Sequence, residues 1–466
     1  MPSLIEEVAS WSGGRPEFTP LVRTRARHAI ADTIACMLAG ANDVATGAVR
    51  ATFAGGNTEG PALAVGGGRV PEAISALING TAAHALDYDD NFRPGRTHAS
   101  AVLVPALLGV ALSRRATGRQ LVEAYLVGLE AQAAVSRGVN PSHYTLGWHS
   151  TSTVGCIGTA AGVAWLLGLD EAGIACAMSI GVSMAAGVKG QFGTPAKPLH
   201  AGLAARNAVD AAMLAANGMT GRLDVLEAPQ GFRQLYGGDD AAGWEGGAAA
   251  IGAPHSIETA GVAPKRHPCC GSAHNTVDAI LDLKAAHGFN AGDVAEVHTH
   301  VGVANIRNLS FAKPENEMQA RFSMHYCVAV ALLKDRLELT DFTPAAVRRA
   351  EVRALLPLTT MTAYSWEEEL AANARLPHRI TIHLRNGSVL KGERAQAKGT
   401  IFDPFDDADR LAKFIDCSRA TLEPSEAELL HSRLNQLDQA EDLTFLEAPL
   451  AEAGRKSPAK PDAAVA

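Results

Sequence analysis

Apolar residues recur every three or four positions through most of the first 255 residues. That spacing predicts amphipathic helices over 23–38, 72–86, 101–112, 120–137, 154–167 and 200–217. The first is followed by Gly40, which suits a helix C-cap. Several carry Ala or Gly at every third or fourth position, which lets neighbouring helices approach closely. The pattern changes after Pro254. Residues 294–303 alternate apolar and polar, the period of a strand. Two further alternating runs, ITIHL and SVLKG, flank Arg385-Asn386-Gly387, and Asn-Gly is a strong hairpin signal. Helical spacing returns over 319–333, 344–355, 406–416 and 425–437. The expectation is a mainly α chain. Residues 1–255 and 400–448 would form a large all-helical domain, 256–399 a smaller α+β domain, and 449–466 a disordered tail.

Composition sharpens this picture. Hydrophobic residues make up 47% of the 466 positions but aromatics only 5%, so the apolar mass is mostly Ala, Leu, Val and Ile, which favours packed helices over a β-sandwich. The formal charge of −8, with no basic stripe, argues against nucleic acid as a partner. Seven cysteines are scattered without a CxxC pair. Cys36, Cys156, Cys176 and Cys327 lie in apolar runs and read as buried small hydrophobes. That usage suits a reducing cytosol, so a cytoplasmic location is expected. The opening MPSLIEEVASW has no basic or apolar leader region, and the longest apolar run, 102–112, is too short for a bilayer and contains Pro105. No membrane association is expected.

Four segments carry polar residues that a plain helix bundle does not need. In the first, His84-Ala-Leu-Asp87-Tyr-Asp89-Asp90-Asn91, a helix ends in carboxylates and turns through Pro94-Gly95 to His98. Acidic groups oppose the helix dipole at that end, and carboxylates beside a histidine orient the ring and raise its basicity. An EF-hand reading of Asp87, Asp89 and Asn91 fails, because Phe92 replaces the required Gly and His98 the bidentate Glu. In the second, Gly147-Trp148-His149-Ser150-Thr151-Ser152-Thr153, the hydroxyl run reads as a helix N-cap, which leaves His149 unexplained. In the third, Gly187 to Gly202, glycines and the pair Lys189 and Lys197 suit an anion; neither the Walker A nor the dinucleotide spacing is met. In the fourth, Lys265-Arg266-His267-Pro268-Cys269-Cys270, adjacent cations suit a carboxylate clamp. The two cysteines leave a zinc or redox reading open, though no second pair completes a tetrahedral set. Tyr326 precedes an apolar helix and by itself reads as core.

Taken in order, HALDYDD, GWHSTSTVG, GTPAKPLHAGLAARN and the KRHP segment resemble the MmgE/PrpD family over about residues 5–440. Members include 2-methylcitrate dehydratase, cis-aconitate decarboxylase and iminodisuccinate epimerase. The resemblance implies a large helical domain built from both chain ends, a smaller α+β lid domain, a cleft between them, a homodimer, and no metal or other cofactor. It implies catalytic roles for Asp87, His98, His149, Lys197 and Tyr326, and substrate binding by Asn91, Lys189, Lys265 and Arg266. Asn91 stands where decarboxylase-like members carry threonine, and the loop 93–97 is one residue longer, both closer to the epimerase-like branch. Tyr326 agrees instead with the decarboxylase and dehydratase branches. The expected substrate is a small di- or tricarboxylate. The expected chemistry is proton transfer beside a carboxylate, with dehydration of the 2-methylcitrate kind favoured over epimerisation and decarboxylation. Lysines would hold carboxylates and stabilise enediolate charge, and His98 or His149 would be the base. A non-catalytic carboxylate-binding protein is the alternative from another class.

Overall fold

The computed structural model describes residues 2–55, 59–244, 251–372 and 376–454. Two compact units divide the chain, one from 1–263 and 410–466, the other Pro264–Asp409.

The first unit is built from helices. Pro20–Gly40, Glu72–His84, Ser100–Arg114, Gly118–Val139, Thr153–Leu166, Glu171–Ser183 and Ala196–Ala216 form its body. Their starts follow local chemistry. The Thr19 hydroxyl accepts from the Val22 amide ahead of Pro20, and Thr117 forms a capping box with Gln120. Helix Ser100–Arg114 is buried from Ser100 to Ala111, which explains an apolar run with little polar face. Helices Glu72–His84 and Ala196–Ala216 make the closest packing. A Cβ on Gly202 would lie 2.4 Å from the Leu77 carbonyl oxygen, and one on Gly80 would lie 2.9 Å from the Gly202 Cα. Two glycines facing each other therefore let the backbones touch, and this contact brings the end of one helix beside the start of the other.

The chain returns to this unit through Asp407–Ser418, whose residues from Arg410 on belong to it, and Pro424–Leu434. Lys413 is buried and bonds to Asp32 and to the backbone carbonyl of Tyr88, each at 2.8 Å, so the C-terminal segment braces the acidic stretch after His84. Helix Glu447–Glu452 follows, with Leu450 fully buried. The disordered tail expected from 449 therefore starts too early: an apolar side chain in the core orders that turn. Residues 455–466 lie outside the described residues.

The second unit holds a four-stranded sheet. Strand Val294–Val301 pairs in parallel with Thr359–Ala363 and antiparallel with His378–Leu384, which continues through a hairpin to Val389–Arg394. Gly387 in that turn has φ +87°, the conformation that makes Asn-Gly a hairpin former. Helices Gly271–His287 and Met324–Leu333 contribute to its apolar core. The single helix expected over 319–333 is two, Glu317–Arg321 and Met324–Leu333. Ser323 breaks it by accepting the Tyr326 amide at 3.1 Å as a new N-cap. The stretch 344–355 is likewise split into Pro344–Val347 and Ala350–Leu355. Strand Thr359–Ala363 was not expected. Among the described residues no helix is long and apolar enough to cross a membrane.

All seven cysteines are free thiols. Cys36, Cys156 and Cys327 are buried as expected; Cys176 is only partly so.

Candidate active site

The helix Glu72–His84 ends on a histidine, and the chain then turns through Asp87, whose φ is +53°. Asp is among the few non-glycine residues that adopt this left-handed backbone with little strain. The turn places Asp87, Asp89 and Asp90 in the interior, all nearly inaccessible to solvent. Acids at a helix C-terminus need compensation, and each finds a different one. Asp87 forms an ion pair with Lys197, the second residue of helix Ala196–Ala216. Asp89 Oδ2 accepts from His84 Nδ1 at 2.7 Å and lies 3.4 Å from His98 Nδ1. Burial pushes the Asp90 carboxyl up to about 7, so it holds its proton near neutrality instead.

His98 is the partly exposed member of this group. Its backbone amide donates to Thr151 Oγ1 at 3.0 Å, and its Nδ1 lies 2.7 Å from the backbone carbonyl oxygen of Asp90. A carbonyl only accepts, so Nδ1 carries the hydrogen and Nε2 is the basic nitrogen of the neutral ring.

His149 is buried beside it. Its amide donates to the Gly187 carbonyl at 3.1 Å, and its Nδ1 meets His200 Nδ1 at 3.1 Å. Gly187 has φ +115°, and a Cβ there would lie 2.9 Å from Ser152 Cβ, so a glycine is needed for this loop to close over His149. The rings of His84 and His149 stack with centroids 5.7 Å apart, and those of His84 and His98 lie 4.6 Å apart. Burial, then neighbouring His84 and Lys197, hold the His149 ring well below the ordinary imidazole range. Burial likewise lowers His84 against the pull of Asp89, and lowers His200 to about 4. These rings are neutral at pH 7.

Of the residues picked out in the sequence, Asp87, His98, His149 and Lys197 are brought together in the first unit. Asn91 and Lys189 belong to the same unit. Asn91 is exposed, and its backbone pairs with Ala263 through two hydrogen bonds of 2.9 Å. The Lys189 ammonium sits 3.8 Å above the Tyr144 ring and bonds to that residue's carbonyl at 3.2 Å. Lys265, Arg266 and Tyr326 lie in the second unit. Lys265 is buried. Arg266 makes an ion pair of 2.9 Å with Asp278, which also bonds to His267 at 3.0 Å and to the Lys398 amide. The Tyr326 ring packs against Phe342 in the core, and its hydroxyl donates to the backbone carbonyl of Asp341.

The hydroxyl run 150–153 does not cap its helix as expected. Ser152 makes no capping bond; its hydroxyl donates to the His200 carbonyl at 3.2 Å. Thr153 bonds to His143 Nε2 at 2.7 Å. These hydroxyls tie the histidine-bearing segments together. His84, Asp89 and His200 were not assigned a role from sequence. A signal existed for His200, which follows Lys197 by three positions on one helix and so shares its face. His84 carried a weaker one, as the last residue of a helix ahead of three acids.

The arrangement offers a buried carboxylate–ammonium pair, three buried neutral imidazoles, and one partly exposed imidazole with its tautomer fixed. Groups of these types are chemically able to transfer protons and to pair with anionic carboxyl groups.

Comparison with known proteins gives matching relationships. Residues 15–245 match the MmgE/PrpD N-terminal domain and residues 267–439 the MmgE/PrpD C-terminal domain. The chain is 27% identical to a human cis-aconitate decarboxylase over 407 residues, covering 85% of this chain and 82% of that protein. It is 24% identical to a cis-aconitate decarboxylase of Aspergillus terreus over 452 residues, covering 91% of each.

Proposed function

The chain belongs to the MmgE/PrpD family, and from that premise we propose that it is a lyase moving a proton at a carbon beside a carboxylate of a small di- or tricarboxylate. The observation that carries the reading is the buried Asp87–Lys197 pair set against His98 and His149. A carbon-bound hydrogen next to a carboxylate is very weakly acidic, because its removal puts charge on an already anionic group. Cations aimed at that charge lower the barrier, and removing one such contact from an oxyanion site costs about 10²–10³ in rate. Lys197 is the proposed partner of the reacting carboxylate, with Asp87 holding the ammonium in place. Lys189, Lys265 and Arg266 are proposed to bind the other carboxylates, and Asn91 to contact substrate.

His98 Nε2 takes or delivers the proton, since Asp90 holds Nδ1 as the donor. His149 stays neutral through burial and offers a hydrogen bond or a second transfer site. Tyr326, with its hydroxyl given to Asp341, has no step in this scheme. Among outcomes, loss of carbon dioxide stands first, because the relatives are decarboxylases by name; dehydration, favoured by the sequence alone, stands second. In decarboxylation the carbon–carboxylate bond breaks, its electron pair passes into the remaining conjugated carboxylate, and protonated His98 returns a hydrogen to carbon. A cis-aconitate-like tricarboxylate is therefore the proposed substrate class. The epimerase reading draws on Asn91 and the longer 93–97 loop. A homodimer in a cytoplasmic setting completes the proposal.

Proton NMR in deuterium oxide against citrate, methylcitrate, aconitate and iminodisuccinate separates these outcomes. Decarboxylation of aconitate, with deuterium entering the product, is expected. No reaction or exchange with any of the four ends the proposal.

A further inference from the structure

His84, His98 and His149 are arranged as metal ligands are. One ring nitrogen from each lies within 4.8 Å of the other two. The Nδ1 atoms have outer partners: His84 on Asp89 at 2.7 Å, His98 on the Asp90 carbonyl at 2.7 Å, and His149 on His200 at 3.1 Å. For His84 and His98 this is the pattern of metal-binding histidines, in which a carboxylate or carbonyl on one nitrogen fixes the tautomer and leaves the other for the ion. The Nε2 atoms of His84 and His149 are buried and have no hydrogen-bond partner, which an apolar or purely structural site would not favour. Tetrahedral coordination at about 2.0–2.1 Å places ligand nitrogens roughly 3.4 Å apart, so the rings need close by little more than an ångström.

We infer that His84, His98 and His149 bind one borderline divalent ion of the zinc type, and that the bound ion switches the site off. Imidazole suits zinc, cobalt, nickel and copper, whereas magnesium and calcium prefer oxygen. Asp87 and Asp89 offset the charge that Lys197 sets against an incoming cation. A nitrogen bound to metal has no lone pair left for a proton, so occupancy and base function exclude each other. The inhibitory consequence rests on His98 being the base; the binding itself does not.

Cobalt(II) is the probe, because it substitutes for zinc and absorbs in the visible when tetrahedral. Titrated into chelator-treated full-length protein, one equivalent is expected to give a tetrahedral spectrum, displaced by zinc. His84→Gln and His149→Gln are expected to bind at least tenfold more weakly, Asp89→Asn 10- to 100-fold more weakly, and Cys270→Ser as the wild type does. Imidazole ¹⁵N shifts of the wild-type protein on zinc addition serve as a check independent of variant folding. Absence of a tetrahedral spectrum and of imidazole shifts at millimolar metal overturns the site. So does a cobalt spectrum that Cys270→Ser abolishes and the histidine variants keep. Zinc-saturated protein that turns over at the full rate overturns the switch. An active His98→Asn variant sinks the base assignment while leaving the cobalt result standing.

Discussion

The Nδ1 of His98 lies 2.7 Å from the backbone carbonyl oxygen of Asp90, an acceptor that does not titrate and that holds the hydrogen on this nitrogen. The basic nitrogen is thereby always Nε2, whatever the protonation of Asp90. His98→Asn keeps a donor near that carbonyl and removes the base. General acid–base transfer is worth about 10²–10⁴ in rate, so kcat should fall by that factor while KM and Tm change little. Steady-state kinetics with calorimetry checks this, and a variant with wild-type kcat rules His98 out.

Lys197 and Asp87 are both almost fully buried. Removing one partner strands a charge in the interior, at a cost of about 3–5 kcal/mol, whereas replacing both by neutral groups costs far less. Lys197→Met should therefore lose both activity and several kcal/mol of stability in urea denaturation. The double variant Lys197→Met with Asp87→Asn should recover most of the stability and none of the turnover. Equal stability losses in the single and double variants would show that the pair is not coupled.

Most of the helical body was legible because periodicity is a local property. The six helices expected in the first 255 residues all occur, with ends displaced by a few residues. What failed depended on partners distant in the chain. Thr359–Ala363, read from TTMTA, is short and polar, and becomes a strand only because Val294–Val301 offers it an edge. Ser323 resembles a helix interior until its hydroxyl takes the Tyr326 amide. Ser152 and Thr153 look like caps, but His143 and the His200 carbonyl compete for their hydroxyls. The candidate residues were visible as types and spacings. Their geometry was not: pairing Asp87 with Lys197 across 110 positions needs the Gly80–Gly202 contact, and the direction of His84 needs the left-handed turn at Asp87.

That glycine contact can be tested alone. A Cβ on Gly202 would lie 2.2 Å from Thr81 Oγ1 and 2.4 Å from the Leu77 carbonyl. Backbone cannot yield as a side-chain tip does, so the helices must part. Gly202→Ala should cost about 1–3 kcal/mol as overpacking, despite the roughly 1 kcal/mol that alanine gains over glycine in a helix. Activity should fall further than stability predicts, since Lys197 moves away from Asp87. Gly47→Ala is the control: it lies in helix Val44–Phe53 with nothing within 4 Å of the new methyl, and should be neutral or slightly stabilising.

Asp90 sets a pH dependence opposite to that of the buried histidines. Its carboxyl titrates at about 7 in the folded protein against an ordinary value of 3.8, through burial. Between those values the folded state holds a proton that the unfolded state has released. Stability from this group is therefore present at low pH and lost as pH rises from about 4 to 7, by up to about 1.4 kcal/mol per unit. His143 and His200 are lowered from 6.5 to about 4 by burial, so their contribution is lost in the other direction, as pH falls from 6.5 toward 4. Asp90→Asn removes only the first effect and leaves the carbonyl that holds His98. The variant should gain stability relative to wild type as pH increases from 5 through 7, with the gain levelling off above pH 8. Urea denaturation at unit steps of pH measures the difference directly. A difference that stays flat across that range means that the Asp90 carboxyl is already ionised in the folded protein, and that its burial is offset by a donor as strong as those serving Asp87 and Asp89.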